Sequence, residues 1–503
     1  MCGIAGFCNF KEDFEENTDY WNFRLEKMRA VLAHRGNDAR GRYLKKHIGL
    51  SHSRLAIRDI LCGDQPMTRT HNGYEYTICY NGEIYNTDEL IPELSENGFV
   101  CSTTSDTEVI LYAYIHWGAD FVNRLNGIFA FAIWDAAKNR LLLYRDRVGV
   151  KPLFYAIRGD SLVFGSEPKA CFAHPAVKPE LDKQGLQELL AIGPAHTSGL
   201  SLFKDLFEVL PGHFMIYSQN GLHDETYWEL TSREHTESYQ DTVAHTRFLV
   251  EDAIKRQMVS DVPVCTFLSG GIDSSIVTAI AANYMNTRGK TLNTFSFDFK
   301  DNDRYFKANA FQPERDLPYV NRMLEEYETA HSYLECDENS LFKALFAAVD
   351  AKDMPGMTDV DSSLLYFCSL VSRKNKVALT GECADEIFGG YPWFYRKELL
   401  EKYGFPWSSD VAPRLALLRD DVGLELDLSG YQAFRYEESR SKAPLLYGEA
   451  GEDESRRIIG YLNIKWFMQT LLDRMDRTSM YSELEARVPF ADHRIIEYVF
   501  NVP

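Results

Sequence analysis

The rhythm of strand-like and helix-like runs changes once along this chain, and that change restricts the folds open to it. In the first two hundred or so residues short apolar runs alternate with turns: Gly3 to Phe7, Glu75 to Tyr80, Ile128 to Trp134, Arg140 to Tyr144, Leu153 to Ala156 and Leu162 to Gly165. Two helical patterns interrupt them, Tyr20 to Leu32, and Thr107 to His116 behind the capping residues Ser105 and Asp106. This pattern predicts layered sheets with few helices. Leu210-Pro211-Gly212-His213 and Phe214 to Tyr217 read as a last hairpin, and the polar stretch Thr231 to Gln240 as a linker. Beyond it strand and helix alternate: Val262 to Leu268, Ser274 to Tyr284, Thr291 to Phe297, Leu317 to Glu328, Ser332 to Glu335, Leu341 to Val349, Ser363 to Lys374, Val377 to Leu379. Such alternation predicts a parallel sheet with helices on both faces, with ligands outside the carboxyl ends of its strands. The chain therefore divides into residues 1–220, a linker at 221–240, and residues 241–503.

At 503 residues and 45% apolar content the chain is too long for one core. Its formal charge of -20 argues against nucleic acid, which is met by a clustered basic face. The ten cysteines show no metal-like spacing, so a reduced cytoplasmic protein is expected, with nine of them as packing residues. No signal peptide and no run approaching eighteen apolar residues is present, so no membrane partner is expected.

Cys2 follows the initiator Met1, and removal of Met1 leaves a thiol and an α-amine on one residue. An amine titrating near pH ~7.7 to 8.0 beside a thiol near ~8.5 can take its proton without a histidine. The plainer alternative is a small buried cysteine. Arg54 closes a short apolar run, where a guanidinium can hold a carboxylate through two parallel hydrogen bonds or simply form a surface ion pair. Asn81-Gly82 reads as a hairpin turn, or as two N–H donors aimed at one oxyanion. Asp106 reads as a helix cap, or as the partner of a substrate ammonium.

Together these positions resemble the class II glutamine amidotransferases, the N-terminal-nucleophile glutaminases, through Cys2-Gly3-Ile4, Arg54-Leu55-Ala56-Ile57 and Asn81-Gly82-Glu83. The resemblance implies a four-layer α+β sandwich of antiparallel sheets for this half. It implies that Cys2 attacks a glutamine side-chain amide, that Asn81 and Gly82 form the oxyanion hole, and that Arg54, Leu55, Ala56, Ile57, Arg58, Glu83 and Asp106 hold the glutamine.

In the second half Ser269-Gly270-Gly271-Ile272-Asp273-Ser274-Ser275 sits between a buried strand and a helix. Two glycines let the backbone approach phosphates, and the helix N-terminus favours anions. The spacing does not fit GxxxxGK[ST]; it resembles the ATP pyrophosphatases, implying a doubly covered parallel sheet of the PP-loop kind. Thr380-Gly381-Glu382-Cys383-Ala384-Asp385-Glu386 follows another short β-run, and Asp273 and Asp385 are expected to flank pyrophosphate at a hard oxygen site suited to Mg²⁺.

With both halves in one chain, and with Asp473 to Met480 and Leu484 to His493 as a late signature, the sequence is similar to the glutamine-hydrolysing asparagine synthetase family. That similarity implies ATP, aspartate and glutamine as substrates, and β-aspartyl-AMP as an intermediate. It further implies ammonia passing between the halves through an apolar tunnel, and a homodimer. By the same resemblance Leu268, Ser269, Gly270, Gly271, Asp273, Ser274, Ser275, Phe297, Thr380 and Gly381 bind ATP. Glu382 serves the intermediate, and Asp353-Met354-Pro355 and Ser362 lie near the substrate pocket. Cys383-Ala384 stands where many members have Gly-Ser, an exchange expected to be tolerated. The synthetase half is read as truncated at its C-terminus. The rival readings are a relative acting on another carboxylate, and a glutaminase or non-catalytic subunit.

Overall fold

The computed structural model describes residues 2–308, 314–408 and 410–503. Met1, and with it the expected processing at the N-terminus, lies outside the described residues.

The N-terminal half begins with β1 (Gly3–Asn9), β2 (Ala39–Lys45), β3 (Ile48–Arg54), β4 (Met67–His71), β5 (Tyr74–Ile84) and β6 (Gly127–Asp135). It continues with β7 (Arg140–Arg145), β8 (Phe154–Arg158), β9 (Ser161–Gly165), β10 (Phe207–Glu208), β11 (His213–Ser218) and β12 (Gly221–Thr226). Among the described residues these form two six-stranded antiparallel sheets, ordered β10-β8-β9-β1-β3-β2 and β12-β11-β7-β6-β5-β4. Side chains of both sheets, including Ile4, Leu50, Cys79, Ala130 and Leu143, meet in one core between them. Helix Thr18–Ala30 covers the outer face of the first sheet through Leu25 and Met28. Helices Thr87–Glu96 and Asp106–Trp117 cover the second through Leu94, Ile110 and Leu111. Four layers result, as the resemblance implies; each fully buried aliphatic side chain in these cores is worth about 1.5 to 3 kcal/mol.

Two details depart from the sequence reading. Asn81 and Gly82 are not a turn: β5 runs on through them, with Asn81 opposite Ala130 and Gly82 opposite Phe129. A side chain at 82 would have its Cβ 2.2 Å from the Ile128 carbonyl oxygen, so glycine is required by packing against β6. The second sheet also runs six residues past position 220 in β12, a charged, exposed edge strand. The connection to the next helix, Tyr239–Arg256, is docked, with Leu230 buried and Trp228 Nε1 donating to Glu497 Oε1 at 2.5 Å.

The C-terminal half holds β13 (Val264–Phe267), β14 (Leu292–Phe299), β15 (Thr329–Cys336), β16 (Val377–Leu379) and β17 (Glu485–Arg487). All pair in parallel, in the order β15-β14-β13-β16-β17. One face is covered by helices Tyr239–Arg256 and Ile272–Asn286 through Ala253, Val277 and Ala281. The other is covered by helix Thr358–Val371 through Phe367, Cys368 and Val371. Among the described residues no helix is long and apolar enough to cross a membrane. Of the ten cysteines, Cys62 is exposed, so the expectation of nine packing cysteines is corrected by one: its loop holds Arg54 through backbone groups and leaves the thiol outside.

The halves share a continuous apolar core in which Leu55, Ile57, Ile128, Val148 and Val150 meet Leu379, Ala384, Met468, Met480 and Val488. Buried ion pairs also cross the seam: Asp476 takes Arg35 on Oδ2 and Lys151 on Oδ1, both at 2.8 Å.

Candidate active sites

Cys2 lies at the head of β1, buried between β3 and β5. Its backbone nitrogen donates to Asn81 Oδ1 at 2.9 Å, and its carbonyl accepts from Arg35 Nε at 3.1 Å. Burial pushes the thiol up, and the Leu55 N–H facing the sulfur works against that. Asn81 Nδ2 is buried with no hydrogen-bond partner. An orphaned buried donor costs about 1 to 3 kcal/mol, and this one stands beside the sulfur-bearing residue, where an oxyanion would meet it. His52, two residues before Arg54, is pushed down to about 3 by burial and so is neutral.

Around this pair the structure gathers the other predicted positions. Glu83 Oε1 accepts from Arg58 at 3.1 Å and its Oε2 from Arg487 at 3.1 Å. Burial and then Asp106 push the Glu83 carboxyl up to about 8. Asp106 is not the helix cap; Ser105 is, accepting from Thr107 N. The Asp106 carboxylate instead turns back to accept from Tyr80 Oη at 2.8 Å and Ile84 N at 3.0 Å. Arg54 donates to the Asp59 and Ile60 carbonyls at 2.5 and 3.1 Å and to Asp64 at 3.0 Å. Its guanidinium thus orders the 58–64 loop beside the pocket. Ala56 N is held by Asp38, while Leu55 and Ile57 point into the core shared with the other half.

The second site lies at the carboxyl ends of β13, β14 and β16. Gly270 adopts φ +86°, a left-handed conformation open to glycine, and its Cβ position lies 2.8 Å from the Asp316 carbonyl oxygen. Helix Ile272–Asn286 begins at Gly271 with no side-chain cap, which leaves first-turn N–H groups free for an anion. Ser274 Oγ ties the turn together, bonding Ser269 N at 3.2 Å, Ser269 Oγ at 3.0 Å and the Gly271 carbonyl at 3.1 Å. Leu268, Ser269 and Phe297 line one cleft with Asp298 and Tyr333. Gly381 is pressed on the turn, its Cβ position 2.8 Å from Ser274 N. Burial and then Asp385 push Asp273 up to about 6, and burial and then Glu382 raise Asp385. These two carboxylates repel each other across the turn, the arrangement that a divalent cation relieves. Among the described residues no cluster of three or more His, Cys, Asp or Glu is arranged to hold a metal ion.

Some residues at these sites carried no signal as single letters. Glu382 Oε1 accepts from Arg474 at 2.9 Å, and Arg487 reaches Glu83 from β17. Both arginines lie in the late signature, so a search there for partners of the two acids could have found them. Asp353 is held by Arg477 at 2.8 Å, and Ser362 Oγ donates to the Thr358 carbonyl in its own helix, so these bonds tie neither residue to the 269–275 turn.

Residues 1–228 match the family model described as a glutamine amidotransferase domain, and residues 245–503 match the model described as asparagine synthase. The chain is 48% identical over its full length to asparagine synthetase [glutamine-hydrolyzing] 3 of Bacillus subtilis (strain 168), covering 81% of that protein. It is 29% identical, again over its full length and 81% of the relative, to asparagine synthetase [glutamine-hydrolyzing] 1 of the same organism. Among solved structures, glutamine phosphoribosylpyrophosphate amidotransferase from B. subtilis, complexed with ADP and GMP, aligns at 16% identity and TM-score 0.35. That alignment covers 66% of this chain and 81% of that one.

Proposed function

The chain belongs to the glutamine-hydrolysing asparagine synthetase family, and on that premise we propose how its residues divide the work. It makes asparagine from aspartate with ATP, taking nitrogen from glutamine.

In the first half Cys2 is the nucleophile that forms a glutamyl thioester and releases ammonia. Its nitrogen, freed as an amine by loss of Met1, is the base. The observation that carries this assignment is the Asn81 side chain: one end is fixed on Cys2 N and the other is a buried donor without a partner. Asn81 Nδ2 with Gly82 stabilises the oxyanion. Glu83 and Asp106 take the glutamine ammonium, which draws the raised Glu83 carboxyl into its charged form; Arg54, Arg58 and the 55–57 backbone complete the pocket.

In the second half the turn from Ser269 to Ser275, with Leu268, Phe297, Thr380 and Gly381, holds ATP. The aspartate β-carboxylate attacks the α-phosphorus, pyrophosphate leaves, and ammonia then displaces AMP from the mixed anhydride. Glu382, oriented by Arg474, serves that exchange. Asp273 and Asp385 would hold Mg²⁺, which takes one or two carboxylates and completes its shell with phosphate oxygens and water. Held there by Asp273 and Asp385, such a cation would neutralise charge on the departing pyrophosphate. The apolar core joining Leu55 and Ile57 to Leu379 and Ala384 supports transfer of ammonia out of contact with water, where it would become ammonium. A homodimer and a cytoplasmic location, the latter supported by ten free cysteines, belong to the same reading.

The test is incubation with glutamine, MgATP and a panel of carboxylates while pyrophosphate is followed. Release with aspartate supports the assignment. Release with another acid and none with aspartate overturns it.

A further inference from the structure

Arg487 is fully buried and serves both halves of the chain. Its Nη2 reaches Glu83 Oε2 at 3.1 Å and its Nε reaches Glu485 Oε1 at 2.5 Å. Its Nη1 reaches the carbonyls of Gln257 and Val259 at 2.6 and 2.5 Å. The main chain of the same residue is engaged elsewhere. Its carbonyl accepts from Thr380 N at 3.0 Å, and Leu379 lies opposite it in the β16–β17 pairing. Thr380 leads directly to Gly381, which is packed on Ser274 and Asp273 of the phosphate turn.

We propose that Arg487 is a positioning residue that couples the two sites: filling the nucleotide site fixes its backbone, which fixes the guanidinium that orders Glu83 for glutamine. The proposal rests on the reading of Glu83 and of the 269–275 turn given above. A guanidinium is a planar fork with donors in fixed directions, so it cannot hold two carboxylates and two carbonyls if its backbone shifts. A nucleotide pressed on Gly381 holds Thr380, and through it the Arg487 carbonyl. Glutamine then meets a carboxylate already in place and loses less freedom on binding. Linkage makes the effect reciprocal: glutamine tightens the nucleotide by the same factor.

The experiment uses the full chain with Cys2→Ala, which binds glutamine without turnover, and calorimetric titration. The dissociation constant of glutamine is measured with and without α,β-methylene-ATP and Mg²⁺, and that of the nucleotide with and without glutamine. About a fivefold tightening in each direction is expected, the lower end of ordinary allosteric coupling. Adding Arg487→Lys, which keeps the charge and loses the fork, should bring both factors to about one. Should that protein melt out, Glu485→Gln loosens the same fork with Arg487 retained and gives the same readout. A purely structural role would weaken both ligands without changing the ratio, and that outcome overturns the proposal. So does a factor of one in the Cys2→Ala parent, or a folded variant that keeps the full factor. Failure of the underlying site reading looks different: one ligand does not bind the parent at all, and the coupling falls with it.

Discussion

The backbone nitrogen of Cys2 donates to Oδ1 of Asn81 at 2.9 Å, while Nδ2 of the same amide is buried without a partner. One side chain thus orients Cys2 and offers a donor to whatever forms beside it. Asn81→Ala should lower kcat for glutamine hydrolysis about 10²- to 10³-fold, the usual effect of deleting one oxyanion donor, with a smaller change in KM. Steady-state hydrolysis checks this. A rise in KM at unchanged kcat would assign the amide to binding alone.

Cys2→Ala should abolish glutamine-dependent asparagine formation and leave ammonia-dependent formation standing, because in the proposed mechanism Cys2 only releases nitrogen from glutamine and takes no part in activating aspartate. Asparagine is quantified with glutamine or ammonium chloride as donor. Loss of both activities would contradict the division of labour between the halves.

Asp273→Asn should stop pyrophosphate release while glutamine hydrolysis persists. The wild-type carboxyl is pushed up to about 6, first by burial and then by Asp385. Synthesis should therefore fall as pH drops through about 6 more steeply than hydrolysis does. For stability the sign is the reverse of an ion-paired acid: a carboxyl whose folded value is raised stabilises the fold below its unfolded value of 3.8 and loses that contribution as pH rises through about 6. Asp273→Asn should then stabilise the fold above pH 6, by at most about 1 kcal/mol after solvent screening, and leave its stability unchanged near pH ~4. Pyrophosphate assays and melting curves across pH measure both effects.

Asp476→Asn removes the charge shared by Arg35 and Lys151 at the seam, each at 2.8 Å in the wild type. Burial opposes the Asp476 charge, but Arg35 and Lys151 overcome it and hold the carboxyl below its usual value of 3.8. Its contribution is present above that pH and is lost as pH falls through the lower folded value. Breaking such a buried set should cost about 3 to 5 kcal/mol at pH 7, and the gap to wild type should narrow in acid. Denaturant melts at two pH values decide this.

Cys383 adopts φ +77°, the left-handed region that favours glycine, directly between Glu382 and the helix carrying Asp385. The sequence reading treats the residue there as tolerated, and the structure adds that it carries backbone strain. Cys383→Gly should raise stability by about 1 kcal/mol, since strain of this kind costs about 1 to 3 kcal/mol and glycine returns part of the gain as unfolded-state entropy. A melting curve measures it, and a lower midpoint would mean that the buried thiol contributes more packing than its backbone costs.

Legibility from sequence follows pattern. Strands with an apolar core face, such as β6, β13 and β16, and helices with clear caps are found within a few residues of where the periodicity puts them. β12 escapes because an exposed edge strand of His223, Asp224 and Glu225 has no apolar rhythm. β17 escapes for the opposite reason, being fully buried yet built from Glu485, Ala486 and Arg487. Asn81-Gly82 looks like a turn because that dipeptide ordinarily is one; the close approach of β6 at Ile128 is a tertiary fact.

The order of the halves, the strand–turn–helix at Ser269 to Ser275 and the chemical types gathered at each site are local properties of the chain, and the sequence by itself determined them. Which charge meets which was decided by tertiary structure. Glu382 finds Arg474 across 92 residues, and Glu83 finds Arg487 across 404. A buried carboxylate needs a cation wherever the fold can supply one, and no spacing along the chain encodes that supply.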